Sequence, residues 1–311
     1  MMMNQILRSL AVILFLLTGA LSVTAQNVEI TTVESQVTPE LWFTLPKLAE
    51  ETSGLALEEN SLLTHNDSGG EPELYRFGFD GKLQTVIRID GAKNFDWEEL
   101  AVSPDAVFIG DFGNNLGNRT DKVVYMIDKP AGNGDTIRTT VAEKIYFSFD
   151  DQRDYSKRNR NHNYDCEAMV WMNDTLRLFT KDWGDGKTRL YLLPIAHGRF
   201  PMKPADELDA GGLVTAADYH SKRKALVLLG YNEKVPFLIY IPDFNGFTFD
   251  GCKAFKATFP AMEGSQTEGI VFLNDHQVAI STEATKTYTQ AVYRLDLAEL
   301  FGKKAGFKTK R

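Results

Sequence analysis

Ser53-Gly54-Leu55-Ala56, Glu98-Glu99-Leu100-Ala101, Glu167-Ala168-Met169-Val170, Thr215-Ala216-Ala217 and Glu268-Gly269-Ile270-Val271 are five copies of one pattern, a small or acidic residue ahead of an apolar run. One strand–turn–strand excursion later, a second apolar stretch ends on a polar group: Asn66-Asp67, Asp111, Asp182, Asn232 and Glu283. A third stretch carries an aliphatic residue followed by tyrosine: Leu74-Tyr75, Val124-Tyr125, Leu190-Tyr191, Ile239-Tyr240 and Val292-Tyr293. Short strand-type runs repeating every roughly 40 to 50 residues are the mark of a β-propeller. The expected fold is therefore all-β, a single propeller of four-stranded blades.

Five copies imply five blades. Six would follow if the N-terminal segment or the long interval between residues 98 and 167 hides a degenerate copy. That interval holds a charged run, Asp150 to Asn163, which reads as an inserted loop. Copy five runs out of chain in Phe301–Arg311, whereas two spare strand-like runs, Val28–Val33 and Leu41–Leu45, precede copy one. The N-terminal segment is thus expected to complete the last blade and remove its exposed edge. Helical periodicity is scarce, apart from one turn around Leu297–Phe301. The repeated tyrosines read as packing between neighbouring blades with their hydroxyls at the rim.

Upstream of the repeats, Met1 to Arg8 leads into an apolar run from Leu10 to Val23, followed by Val23-Thr24-Ala25 before Gln26. This reads as a secretory signal peptide over 1–25, the run being short for a membrane span. The mature domain is then 26–311, exported to the periplasm or secreted, with no further hydrophobic span. It reads as a monomer. The 42 acidic and 34 basic residues give a net charge of −8, which argues against a nucleic-acid surface, since that needs a clustered basic face. Two cysteines, Cys166 and Cys252, are too few for a disulfide framework.

A propeller converts scattered carboxylates into a ring. Glu98, Glu167 and Glu268 start innermost strands, with Ser53 and Thr215 in the equivalent places. Asp67, Asp111, Asp182, Asn232 and Glu283 stand where the next strand exits, with His65, Asn66 and Lys181 beside them. Antiparallel neighbours return to the same face, so both rings should crowd one mouth of the channel. Acids packed together need a compensating cation, and Ca²⁺ takes six to eight oxygens of this kind. Glu98, Asp111, Glu167, Asp182, Glu268 and Glu283 are the candidate metal ligands. Asn66, Asp67, Asn114, Arg119, Lys181 and Asn232 are candidates for holding a small polar ligand, and His65 for a general base. Asp96 and Asp165 read instead as structural acceptors for backbone amides of adjacent blades.

Glu51-Thr52-Ser53-Gly54-Leu55-Ala56, His65-Asn66-Asp67-Ser68-Gly69, Asp96-Trp97-Glu98-Glu99-Leu100-Ala101 and Gly110-Asp111-Phe112-Gly113-Asn114-Asn115 resemble a group of secreted β-propeller proteins of Bacteroidetes-type bacteria. More distantly, the Glu-led repeats are similar to the esterase-like phytase and SdiA-regulated propellers, and to the gluconolactonase, paraoxonase and strictosidine-synthase propellers. The resemblance implies a calcium ion near one channel end, with Glu98, Glu167 and Glu268 as the matching ligands. The expected function is binding, or metal-dependent hydrolysis, of a small polar ester, lactone or phosphoester. The alternative is a non-catalytic binding or scaffold propeller recognising a protein or glycan partner.

Overall fold

The computed structural model describes residues 28–132 and 134–307. The expected signal peptide, 1–25, lies outside the described residues. Two strands, β1 (Glu29–Thr32) and β2 (Glu40–Thr44), precede the first copy. The first copy folds as β3 (Thr52–Glu58), β4 (Ser61–Asn66), β5 (Glu73–Gly78) and β6 (Leu83–Asp90). The second is β7 (Trp97–Val102), β8 (Ala106–Asp111), β9 (Val123–Asp128) and β10 (Thr136–Phe149). The third is β11 (Asp165–Met172), β12 (Thr175–Lys181) and β13 (Thr188–Pro194), followed by β14 (Gly198–Met202) and β15 (Asp206–Leu208). Next come β16 (Leu213–His220), β17 (Ala225–Asn232), β18 (Val235–Ile241) and β19 (Lys253–Thr258). The last copy is β20 (Thr267–Phe272), β21 (Gln277–Thr282) and β22 (Ala291–Asp296), then the short helix α1 (Leu297–Phe301). Asp296 caps α1 by accepting the amides of Ala298 and Glu299.

Each copy is an antiparallel meander, and the fifth lacks an outer strand of its own. β2 supplies one, pairing antiparallel with β22. The other early strand goes elsewhere: β1 adds to the fourth sheet, parallel to β19. The long β10 ties two meanders together, since its first half pairs with β6 and its second with β9. The innermost strands touch in a cycle, β3 on β7, β7 on β11, β11 on β16, β16 on β20 and β20 on β3.

Packing follows from this arrangement. Sheets laid face to face bury both faces of their middle strands, so β8 and β18 read as almost unbroken apolar runs. The outer strand β6 keeps one face in water and alternates. The core is split into apolar clusters between successive sheets, for example around Trp97 and Ile109, around Phe147 and Leu178, and around Leu55 and Val292. Tyr75, Tyr125, Tyr191 and Tyr240 are buried in these layers, as expected, while Tyr293 is half-buried. Cys166 and Cys252 are both free thiols.

Candidate functional site at the channel mouth

Every innermost strand carries a one-residue bulge near its start, at Gly54, Glu98, Glu167, Thr215 and Glu268. A bulge re-aims the extra side chain and bends the strand, which turns the three glutamates toward the channel end. The register corrects the alignment of the first copy by one residue, because Gly54 rather than Ser53 occupies the bulge. Gly54 has φ +55°, and a Cβ there would sit 2.7 Å from His65 Nε2 and 2.9 Å from the Leu100 amide. Blade contact leaves no room for a side chain in this copy. Ser53 instead donates its hydroxyl to the Glu98 carbonyl, and Thr215 does the same to that of Thr267.

Within the mouth, Asp67, Asp96 and Glu98 place one carboxylate oxygen each within 4.8 Å of one another. Burial raises Asp67 to about 8, with Asp96 and Glu268 adding to the shift. Asp96 rises to about 6, again through burial, and Glu98 is pushed well above the carboxylate range by burial and then by Glu167 and Asp67. Glu283 is raised to about 9 by burial and by Glu268, and accepts a bond from Gln266. Lys181 is the cation at the centre. Its Nζ lies 3.0 Å from Glu167 Oε2, over the rings of Trp183 and Tyr231. Burial works against its charge, but Glu167 and Glu268 outweigh that and hold it protonated. Two inward oxygens, Asp67 Oδ1 and Glu167 Oε1, have no hydrogen-bond partner.

The remaining expected residues are placed differently. Asp111 and Asp182 are closed by arginines, Arg119 at 2.8 Å and Arg189 at 2.5 Å, and do not belong to the three-carboxylate group. Arg119 also donates to the Gly113 and Asp111 carbonyls. Asn114 donates its side-chain NH2 to the Tyr164 carbonyl and its backbone N–H to Asp165, and its Oδ1 accepts the Arg119 amide. It therefore stitches two meanders together. Asn66 donates to the Leu48 carbonyl, and Asn232 is exposed at the end of β17. His65 is fully buried, its Nδ1 bonded to the Asn66 carbonyl, and burial lowers it to about 4. A neutral, enclosed imidazole of this kind has no path to a substrate at the mouth.

Asp96 and Glu99 depart from the sequence expectation. Asp96, read as a structural acceptor, belongs to the carboxylate group, whereas Asp165 fits that reading, accepting from the Asn114 amide and from Trp183 Nε1. Glu99, next to the bulge, is wholly buried and reaches across the channel. Its Oε1 accepts the Leu100 amide and its Oε2 the Ala217 amide of β16, both at 3.0 Å. The other four copies have Leu55, Ala168, Ala216 and Gly269 at this position. An acid alone among aliphatic and small residues was the available signal.

The donor set fits a hard dication. All three clustered groups are carboxylates, one of their oxygens lacks a partner, and Gly113 makes the room, since a Cβ there would collide with Glu98 and lie 2.6 Å from Asp96 Oδ2. A separate cavity of about 550 Å³ lies at the opposite end of the innermost strands.

No protein-family model matches the sequence, and no curated protein matches it. Among solved structures, the chain is similar to a PQQ-bound aldose sugar dehydrogenase from Streptomyces coelicolor, with 13% identity, 85% of this chain and 99% of that one covered, and a TM-score of 0.46. It is similar to the Dos1 propeller at 10% identity, covering 84% of this chain and 59% of that one, with a TM-score of 0.38. A third is a 6-phosphogluconolactonase-type protein from Bacteroides uniformis, at 12% identity, with 81% and 72% covered and a TM-score of 0.38.

Proposed function

We propose that the chain is an exported five-bladed propeller, closed by β2, whose acidic mouth takes a hard dication and, with it, a small polar ligand. The five meanders, the cycle of innermost strands and the pairing of β2 with β22 support the ring. Export rests on the apolar run before residue 26. Among the described residues, no helix is long and apolar enough to cross a membrane. The observation that carries the functional reading is the group Asp67, Asp96 and Glu98, held above their ordinary carboxylate range by burial. Like charges this close need a cation or protons, and Ca²⁺ is the economical partner.

The ligand class is an ester, lactone or phosphoester oxygen brought beside that group. A bound dication would polarise such an oxygen. The chain's own contribution is then to orient and to move a proton. His65 is enclosed, so the role of base falls to a carboxylate of the mouth outside the ion-holding group. Arg160, stacked at 4.8 Å on the Trp183 ring and exposed, stands at the rim where an anionic ligand arrives. Lys181 is committed to Glu167.

A second reading has its own observation. Phe95 is 54% exposed and Leu116 is 41% exposed, on segments bordering the mouth, a surface suited to a protein or glycan partner. The deciding experiment is calorimetry of the mature chain with Ca²⁺ and with chelator, for wild type and Asp67→Asn. A Ca²⁺-dependent rise in Tm that Asp67→Asn removes supports the metal mouth and justifies a screen of lactones and phosphoesters. No Ca²⁺ effect in the wild type sinks it and leaves the recognition surface.

A further inference from the structure

The opposite end of the channel carries a second cavity. There the innermost strands end around an open bowl of about 550 Å³ to which all five contribute, a size typical of small-molecule sites. The bulges give equivalent positions. Three residues past each one stand Leu57, Ala101, Val170, Asp218 and Val271, all lining the bowl. Four are aliphatic, and one is an aspartate. Glu99 reaches across the channel between the bowl and the acidic mouth, accepting the Ala217 amide.

Asp218 is held in place by bonds that its neighbours donate. Its Oδ2 accepts the Phe272 amide at 2.7 Å, and the Tyr219 amide also donates to the carboxyl. Burial raises it only to about 6 because these amides work the other way. Trp171, Tyr219 and Phe272 are among the residues lining the bowl, Trp171 and Tyr219 partly exposed and Phe272 nearly buried. His220 packs edge-on to Phe272. The imidazole is pinned, with Nδ1 accepting the Arg223 amide and Nε2 lying 3.3 Å from Asp275 Oδ1. Of the charged groups facing the bowl, Asp218 and Asp275 outnumber Lys222.

From this geometry we infer that the bowl binds an organic ammonium ion with an apolar body. The aliphatic wall takes the body, the aromatic faces attract the cation through their quadrupoles, and Asp218 supplies the fixed countercharge. A neutral ligand of the same shape would forfeit the last two contributions. An anion would meet the two carboxylates.

Phenylethylamine and the alcohol of the same skeleton, titrated calorimetrically into the mature chain, test this directly. The amine is expected to bind about tenfold tighter than the alcohol, a difference typical of one charge contact with aromatic support. Asp218→Asn keeps an acceptor for the Phe272 amide and should erase the difference, while Trp171→Leu should weaken the amine. Asp67→Asn, at the other channel end, should leave amine binding unchanged. Equal affinity for amine and alcohol, or no binding of either, overturns the assignment. So does loss of amine binding in Asp67→Asn with retention in Asp218→Asn, which would place the amine at the acidic mouth. Should Asp218→Asn fail to fold, the amine–alcohol comparison and Trp171→Leu still decide.

Discussion

Replacing Lys181 by methionine removes the cation at the centre of the mouth and keeps most of its stem. Nζ is 3.0 Å from Glu167 Oε2, and both side chains are nearly solvent-free. At an effective dielectric of about 20 the gross attraction at that distance is roughly 5 kcal/mol. The loss of one partner from a buried pair costs about 3–5 kcal/mol, because the remaining charge is left uncompensated. For a chain of this size that is a fall in Tm of roughly 6–10 °C.

The pH dependence separates charge from packing. Asp67, Asp96 and Glu283 sit at about 8, 6 and 9 in the fold. Their folded values are raised, so the native state holds protons that the unfolded chain releases near pH 4. Their contribution to stability is greatest below that point and is lost as pH rises through about 6 to 9. Lys181 pulls all three values down, so its removal enlarges the loss. The Lys181→Met deficit should be small at pH 5 and full-sized at pH 8, measured by urea unfolding. Added Ca²⁺ should restore the variant more than it stabilises the wild type. An equal deficit at pH 5 and pH 8 would mean that Lys181 acts by packing alone, and no deficit at either would refute the electrostatic account.

Two further outcomes test the channel. Glu99→Ala leaves the buried amides of Leu100 and Ala217 without acceptors, at about 1–3 kcal/mol each, and should lower the urea midpoint by an amount equivalent to roughly 3–5 kcal/mol; a loss below about 1 kcal/mol would show that the clamp is dispensable. Gly113→Ala forces a methyl group between Glu98 and Asp96, so Ca²⁺ titration should show weakened binding while the circular dichroism spectrum stays native. Unchanged affinity would place the ion elsewhere.

Most of the architecture was legible in the repeats because strand periodicity and the Tyr-bearing third strand are local signals. The destination of β1 was not legible. Val28–Val33 and Leu41–Leu45 look alike as spare strands, but only contact with β19 and β22 distinguishes them. Asp111 and Asp182 looked equivalent to Asp67 by position. What separates them is the guanidinium of Arg119 or Arg189, each delivered by a neighbouring loop or strand whose approach no spacing reveals.

The same blindness governed the channel interior. A single-residue offset in the first copy put Ser53 where the bulge puts Gly54, and a strand read one residue out of register turns every side chain to the wrong face. With the bulges as reference, Glu99 and Asp218 each emerge as one acid in a column otherwise aliphatic or small. Both accept backbone amides of innermost strands, which have free edges facing the axis. A ring of strands leaves such amides without partners at its centre, and buried amides must be satisfied. Glu99 meets that need between the acidic mouth and the aliphatic bowl, tying β7 to β16 across the channel.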